Sequence, residues 1–137
     1  MTGSCLCGAV RIELPAPPPF IHDCDCTLCR KSGAAWGYFP ADAVRASGGT
    51  RSFVRTDKPG AAAAVQHCPA CGSTTHFVMT EAFRAAHPDA DMVGVNMRLF
   101  APDELAGIEV RFPDGYNWPG SGAFAYRRDA VPAGEGW

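Results

Sequence analysis

The sequence predicts a mainly β domain with few short helices, which spans residues 1–137 as a single unit. A length of 137 residues supports one hydrophobic core but not two. Short alternations of apolar and polar residues, typical of strands with one buried face, recur along the chain. Turn-rich segments such as PAPPP at 15–19 and FPDGYNWPGSG at 112–122 separate these alternating stretches.

The clearest predicted strand is AVRIEL at 9–14. There Val10, Ile12 and Leu14 alternate with Arg11 and Glu13, so one face of the strand is expected to be buried. VGVNMRLF at 93–100 and IEVRF at 108–112 alternate in the same way and are expected to be sheet partners. Weaker strand candidates are WGYF at 36–39, RSFVR at 51–55, HFVM at 76–79 and FAYRR at 124–128.

Two short segments carry helix signals. APDELAG at 101–107 is expected to form a turn or a short helix that Gly107 ends. In TEAFRAAH at 80–87, Thr80 is a candidate N-cap for two helical turns that stop before Pro88. No other segment has a helical pattern, so strands are expected to form the scaffold.

Composition narrows the classes of partner. Apolar residues make up 47% of the chain and charged residues 19%, which is typical of a folded globular protein. A formal net charge of -2 without a basic block argues against nucleic acid and membrane surfaces as partners. The N-terminal MTGSCLCG has no signal-peptide pattern, and no apolar run is long enough to cross a bilayer. We therefore expect a cytoplasmic protein, and in that reducing compartment grouped cysteines are more often metal ligands or redox groups than disulfides.

The seven cysteines fall into three groups: Cys5 and Cys7; Cys24, Cys26 and Cys29; Cys68 and Cys71. HCPACG at 67–72 predicts a zinc knuckle, because such a motif turns tightly around the metal and Gly72 tolerates the positive φ that this requires. CPAC also matches a redox dithiol, but that motif precedes a long helix, whereas here the β-prone HFVM follows. Tetrahedral zinc needs four ligands, so the knuckle and the Cys5–Cys7 pair are predicted to share one structural zinc.

The other three cysteines, Cys24, Cys26 and Cys29, predict a second zinc site with one open position. An all-sulfur triad favours zinc, and three protein ligands with an exchangeable fourth ligand are the catalytic pattern. The alternative is that Asp25, His22 or His67 completes the tetrahedron and that the site is merely structural.

Four residues near the triad are candidate functional groups. Arg30 and Lys31 follow Cys29 and would offset the thiolate charge or bind an anionic substrate, although a solvated surface pair fits equally well. Trp36 is a candidate wall of a substrate pocket or a core residue. Asp25 is a candidate proton carrier if its carboxylate faces the open position, and a surface acid if it faces away.

In this order and at this spacing, GSCLCGAVRIEL, CDCTLCRKSGA and HCPACG resemble the glutathione-dependent formaldehyde-activating enzyme family, also called the CENP-V/GFA domain. The resemblance covers residues 3 to about 78 and implies a Mss4-like zinc fold, shared with a small zinc chaperone of Rab GTPases. It implies the same division of the cysteines between two zinc sites. It also implies a carbon–sulfur lyase that reversibly forms S-hydroxymethylglutathione from formaldehyde and glutathione, with a small thiol such as glutathione as substrate.

Two features depart from the family pattern. Asp25 stands where the family often has His, and the segments after residue 80 do not resemble the formaldehyde-activating members, which predicts a different small substrate. The competing hypothesis is a non-catalytic zinc module that binds a protein partner. A thiol redox protein is the third hypothesis, and it requires Cys68 and Cys71 to be free of metal.

Overall fold

The computed structural model describes all 137 residues and contains eleven strands and three helices. The strands are β1 (Thr2–Ser4), β2 (Arg11–Glu13), β3 (Phe20–His22), β4 (Trp36–Pro40), β5 (Arg45–Ser47), β6 (Arg51–Val54), β7 (Ala63–His67), β8 (Thr74–Met79), β9 (Met92–Asn96), β10 (Glu109–Arg111) and β11 (Val131–Pro132). The helices are α1 (Thr27–Ser32), α2 (Glu81–Ala86) and α3 (Pro102–Leu105). The prediction of a mainly β fold with few short helices is confirmed. None of these helices has the length and apolar character needed to cross a membrane.

The strands form two sheets that enclose one main core. β1, β2 and β5 form an antiparallel sheet with β2 at its centre. The other eight strands form one sheet in the order β11-β10-β3-β4-β9-β8-β7-β6, in which only β10 and β3 are parallel neighbours. Ile12 of the small sheet and Ile21, Val95 and Val110 of the large sheet lie in the same buried apolar cluster.

The alternation in AVRIEL is confirmed as a half-buried strand. Val10, Ile12 and Leu14 are buried, whereas Arg11 and Glu13 are exposed. Transfer of such side chains from water to the core is the main favourable term in folding, at about 25 cal/mol per Å² of apolar surface. This burial holds β2, which follows Cys5 and Cys7, in place against the core.

The expected pairing of the strands around residues 93–100 and 108–112 is wrong. β9 has β4 on one side and β8 on the other, so both of its edges are already hydrogen-bonded and none is left for β10. β10 instead pairs with β3 on the far side of β4. The expected strand at 93–100 also ends early, because a 3-10 turn follows β9 at Met97–Leu99.

The predicted short helices at 80–87 and 101–107 are present. The Thr80 hydroxyl accepts a hydrogen bond from the Phe83 amide and begins α2, and α3 ends two residues before Gly107, which has φ of +82°. The helix α1, which directly follows Cys26, was not predicted. It is the element that carries the cysteine triad.

FAYRR at 124–128 is not a strand. Its Tyr126 makes one isolated bridge with Pro113, flanked by backbone hydrogen bonds from Asp114 to Ala125 and from Arg127 to Phe112. Residues 112–128 thus form an irregular hairpin, which we call the C-terminal hairpin. The predicted turn-rich loop at 112–122 makes up most of it, and it lies beside the cysteine triad.

Candidate metal centre

Two turns bring four cysteines together. One turn joins β1 to β2 and the other joins β7 to β8. The sulfurs of Cys5, Cys7, Cys68 and Cys71 all lie within 4.8 Å of one another. Cys5 and Cys68 are buried, Cys71 is half-buried and Cys7 is exposed. The structure therefore brings together the four cysteines that the sequence assigned to one structural zinc.

The two cysteine pairs sit in turns of matching geometry. In the first turn the Cys5 amide donates to Val10 O and the Gly8 amide donates to Cys5 O, each at 2.9 Å. In the second, the Cys68 amide donates to Ser73 O and the Gly72 amide to Cys68 O, again at 2.9 Å. Gly8 and Gly72 have φ of +77° and +76°, the left-handed region that glycine adopts without strain. Both turns are therefore knuckles of the same kind.

The spacing and hydrogen bonding of these sulfurs fit a tetrahedral zinc. With zinc–sulfur bonds of about 2.3 Å, two ligands of a tetrahedron lie about 3.8 Å apart. The Cys5–Cys7 and Cys7–Cys68 sulfurs are 3.6 and 3.7 Å apart. The Val10 amide donates to Cys5 Sγ at 3.2 Å, and hydrogen bonds from Ser73 lower the pKa of Cys71 to about 5, which favours the thiolate that metal binding needs.

The second group comprises Cys24, Cys26 and Cys29, whose sulfurs also lie within 4.8 Å of one another. Cys24 follows β3, Cys26 is the N-cap of α1, and Cys29 lies in the first turn of that helix. No aspartate, glutamate or histidine joins this group. The arrangement matches the predicted three-thiolate site, although the 3.3 Å between Cys26 and Cys29 sulfurs is shorter than the edge of a zinc tetrahedron.

Contacts among the three thiols shift their pKa values in opposite directions. Hydrogen bonds with Cys24 and Cys29 hold the pKa of Cys26 well below its usual range, and the Cys29 amide also donates to Cys26 Sγ. The contacts with Cys24 and Cys26, together with burial, raise the pKa of Cys29. The close packing of the three sulfurs therefore favours a shared negative charge within the group, which suits metal binding.

Trp36 is buried and lies against the triad, and its role in a substrate wall stays a prediction. Its side chain is only 3% exposed, and its indole Nε1–H donates a hydrogen bond to Cys29 Sγ at 3.2 Å. Its ring packs edge-on against Phe77. The sequence offered pocket wall and core as its roles, and missed the hydrogen bond to a candidate ligand. Such a donor orients a sulfur ligand and stabilises its negative charge.

Asp25 anchors the C-terminal hairpin. One carboxylate oxygen accepts a hydrogen bond from the Tyr116 amide at 3.0 Å, and the other lies 3.4 Å from Arg127 Nε. The neighbouring Asp23 pairs with Arg98 and accepts from the Trp137 indole at 2.7 Å. These contacts occupy the Asp25 carboxylate, so the geometry supports a positioning role, and proton transfer by Asp25 stays a prediction.

The hairpin touches the triad through Gly115. A Cβ added to this glycine would lie 2.3 Å from Cys24 Sγ and 2.9 Å from Cys26 Cβ. Gly115 is buried, and its φ is outside the left-handed region. The absence of a side chain here thus serves close packing of the hairpin against Cys24.

Arg30 and Lys31 lie on the exposed side of α1 and take part in none of the ion pairs of the chain. The Arg30 guanidinium lies 5.7 Å from the centre of the Tyr116 ring. Lys31 lines an open cavity of ≈ 230 Å³ that Thr27, Leu28, Phe53, Arg55, Thr56 and Asp57 also line. Neither cation therefore has an acidic partner in the chain.

His22 and His67, the histidines considered as fourth ligands, are not part of the triad. His67 ends β7, opposite Arg51 and Thr74. His22 Nδ1 lies 3.2 Å from the Tyr38 hydroxyl, and burial, with the nearby Arg111, lowers the pKa of His22 to about 4. Its imidazole is therefore neutral at pH 7.

The sequence that carries these cysteines matches a known protein family. A family model described as glutathione-dependent formaldehyde-activating enzyme matches residues 1–106. The chain belongs to this family. The match includes all seven cysteines, so the recognition made from the three cysteine motifs is confirmed. Family membership supports an enzyme, and the two cysteine groups support metal binding.

Two individual proteins are also similar to this chain. A stretch of 55 residues is 38% identical to a protein of Halomonas elongata named as a candidate glutathione-dependent formaldehyde-activating enzyme, and it makes up 39% of this chain and 32% of that relative. The match thus spans about a third of the curated relative's length. A crystal structure of a Rhodobacter sphaeroides protein superposes with a TM-score of 0.57 at 27% identity, covering 73% of this chain and 87% of the other. The mainly β, Mss4-like fold is thereby confirmed.

The C-terminal hairpin lies outside the family match, which ends at residue 106. The contacts of Gly115 with Cys24 and of Tyr116 with Asp25 therefore come from a part of the chain that the family pattern does not cover. No motif in the sequence signalled them, since Asp25 and Tyr116 are 91 residues apart.

Proposed function

We propose that this protein is a zinc-dependent carbon–sulfur lyase-like enzyme that acts on a small thiol or thiol adduct, with chemistry of the S-hydroxymethylglutathione type. Cys5, Cys7, Cys68 and Cys71 hold a structural zinc, and Cys24, Cys26 and Cys29 hold a second zinc. The observation that carries the proposal is the second group: three sulfurs within 4.8 Å of one another and no fourth protein ligand. The family supplies the class of reaction, and a cytoplasmic location fits seven unpaired cysteines.

The proposed second zinc would keep an incoming thiol deprotonated at neutral pH. The residues of this chain prepare the position for such a ligand. The Trp36 indole donates to Cys29, and the Cys29 amide donates to Cys26. Both hydrogen bonds spread the negative charge of the cysteine ligands, so that a further thiolate meets less repulsion.

Arg30 and Lys31 would bind the carboxylates of a peptide-like thiol such as glutathione. They follow Cys29 directly in α1 and have no acidic partner. A carboxylate bound to a guanidinium or ammonium group gains a charge-assisted hydrogen bond. An anionic thiol would therefore be held at both its sulfur and its carboxylate ends.

Cobalt substitution tests the proposal. The visible spectrum of Co²⁺ reports its ligands, so glutathione added to the cobalt-loaded protein should shift the triad spectrum toward that of four sulfur ligands. Cys26→Ser is the matched control, because it removes a triad ligand and leaves the four-cysteine site intact. The spectrum of that variant should not respond to glutathione. An unresponsive wild-type spectrum at millimolar glutathione, with cobalt bound at the triad, would contradict the proposal.

A second candidate function is a non-catalytic zinc module that binds a protein partner. β6 is the edge strand of the large sheet, and its Phe53 and Val54 side chains are 52% and 42% exposed. An exposed apolar edge strand can accept a strand from another protein. The cobalt experiment separates the two functions, since a binding module needs no response to thiol.

A further inference from the structure

His22 has a ring nitrogen without a partner. The side chain is 9% exposed and lies at the end of β3, two residues before Cys24. Its Nδ1 is 3.2 Å from the Tyr38 hydroxyl. Its Nε2 is the one buried side-chain nitrogen or oxygen in the chain that has no hydrogen-bond partner. Buried polar atoms are nearly always hydrogen-bonded, and an exception calls for an explanation.

The surroundings of the imidazole are aromatic. The rings of Phe20, Tyr38, Phe124 and Tyr126 have centroids 4.7 to 6.5 Å from that of His22. None of these side chains offers Nε2 a hydrogen bond. Besides the two tyrosine hydroxyls and the nearby Arg111, the surroundings are apolar, as in pockets that orient a ligand through a few polar groups.

The bond to Tyr38 fixes the role of Nε2. His22 Nδ1 is the only hydrogen-bond partner of the Tyr38 hydroxyl, so the hydroxyl donates its hydrogen bond to Nδ1. A neutral imidazole carries one N–H, and with Nδ1 as the acceptor the hydrogen is on Nε2. Nε2 is thus a free donor, which suits a carbonyl or hydroxyl oxygen.

The C-terminal hairpin packs over both His22 and the triad. Phe124 and Tyr126 of the C-terminal hairpin contact the imidazole, and Gly115 of the same hairpin rests on Cys24. Tyr38 packs on the apolar cluster that also contacts Cys24 and Cys26. Tyr126 is 51% exposed, so its ring can swing outward to admit a ligand with little loss of buried surface. A ligand bound through its sulfur at the triad would extend its next atoms under the same hairpin.

We propose that His22 Nε2–H donates a hydrogen bond to the oxygen on the carbon that bonds to the substrate sulfur. This role rests on the proposed function. In the addition step, the thiolate sulfur bonds to the carbonyl carbon of formaldehyde and the π electron pair moves to oxygen. That oxygen accepts the Nε2–H hydrogen bond and takes a proton from water, while His22 keeps its own.

In the lyase direction the same contacts run in reverse. The hydroxyl proton returns to water, the C–O double bond re-forms, and the C–S electron pair stays with sulfur. A donor that is already in place stabilises the negative oxygen without reorganisation of the site. Tyr38 is a positioning residue, because it acts only by orienting the imidazole.

The test compares two probes on two variants. His22→Phe keeps an aromatic ring and loses both nitrogens, whereas His22→Gln retains an amide donor near the position of Nε2. The probes are glutathione and S-hydroxymethylglutathione formed from glutathione and ¹³C-formaldehyde, with binding followed by NMR line broadening of each ligand. Melting temperature and zinc content establish that each variant is folded and loaded.

His22→Phe should weaken binding of S-hydroxymethylglutathione about tenfold, the value of one hydrogen bond, and change glutathione binding less than twofold. His22→Gln should recover most of the loss. In the wild type, the ¹⁵N signal of Nε2 should shift with S-hydroxymethylglutathione and not with glutathione.

The two ideas fail differently. Equal weakening for both probes, or no change for either, overturns the role of His22 and leaves the proposed function standing. A wild-type protein that binds neither probe overturns both. If His22→Phe is unfolded, the ¹⁵N shift in the wild type and the His22→Gln titration decide the matter alone.

Discussion

Replacement of Gly115 by alanine tests whether the C-terminal hairpin is seated on the cysteine triad. The added Cβ would lie 2.3 Å from Cys24 Sγ, whereas favourable contacts between such atoms are at about 3.5–4.0 Å. The hairpin, or the Cys24 side chain, must therefore move by more than about 1 Å. Overpacking of this kind costs about 1–3 kcal/mol.

The cost falls mainly on the metal-loaded state. Without metal, the Cys24 side chain is free to rotate away from the new methyl group. With metal, its sulfur is fixed, so the hairpin has to withdraw and the Tyr116–Asp25 hydrogen bond of 3.0 Å is strained. We expect the affinity of the triad for zinc to fall by the same ~1–3 kcal/mol, which is roughly 5- to 150-fold.

Competition with a chromophoric chelator measures this affinity for both sites. The four-cysteine site should be unchanged, because Gly115 does not contact it. Gly49→Ala is the matched control, since a Cβ at Gly49 meets nothing within 4 Å and its φ is ordinary. Wild-type zinc affinity in Gly115→Ala, together with an unchanged melting temperature, would refute the packing of the hairpin on Cys24.

Three further predictions concern the metal ligands. Cys68→Ser should leave the chain largely unfolded, because structural zinc contributes folding free energy directly. Cys26→Ser should lose only the second metal and keep its fold. Equal melting temperatures for the two variants would contradict this division of the cysteines. Trp36→Phe removes the donor to Cys29 Sγ and should weaken triad zinc about 10- to 100-fold, as measured by the same competition. On acidification, protons compete for the thiolates, so native mass spectrometry should record loss of the triad zinc before the four-cysteine zinc, and simultaneous loss would argue against unequal sites.

The cysteine sites were predictable because their geometry is mostly local. CxC and CxxC spacings followed by glycine produce tight turns that point both sulfurs to one place, and Gly8 and Gly72 adopt the positive φ that these turns require. Division of seven cysteines into four and three needed only the number of ligands that zinc accepts. The observed groups agree with that division.

The order of the strands was not predictable from their patterns. Alternation identified β2 correctly, but it says nothing about which strand lies next to which. β9 also departs from simple alternation, because Gly94 and Asn96 are buried as well. A Cβ at Gly94 would lie 2.0 Å from the Phe77 ring, so the glycine leaves room for that ring on the neighbouring strand β8. In a central strand such as β9, residues on both faces are buried, so its sequence need not alternate between apolar and polar residues.

The contacts around the triad were missed because they are long-range or unusual. The helix α1 begins with a cysteine as its N-cap, a role that sequence rules give to Ser, Thr, Asp and Asn. The hairpin contacts join Asp25 to Tyr116 and Arg127. The local sequence of neither segment predicts this pairing, because it depends on how the whole chain folds to bring the two segments together.

The distribution of charge bears on the class of substrate. Asp23 neutralises Arg98, and Asp23 and Asp25 neutralise Arg127; the Arg127 pairs fasten the hairpin to the segment that carries Cys24. Arg30 and Lys31 are outside all of the ion pairs and lie on the helix that carries Cys26 and Cys29. As a solvated surface pair, the two cations need no ligand; glutathione, unlike an uncharged thiol, has two carboxylates with which they can pair. The charge pattern therefore favours an anionic, peptide-like thiol over a neutral one as the substrate of the proposed reaction.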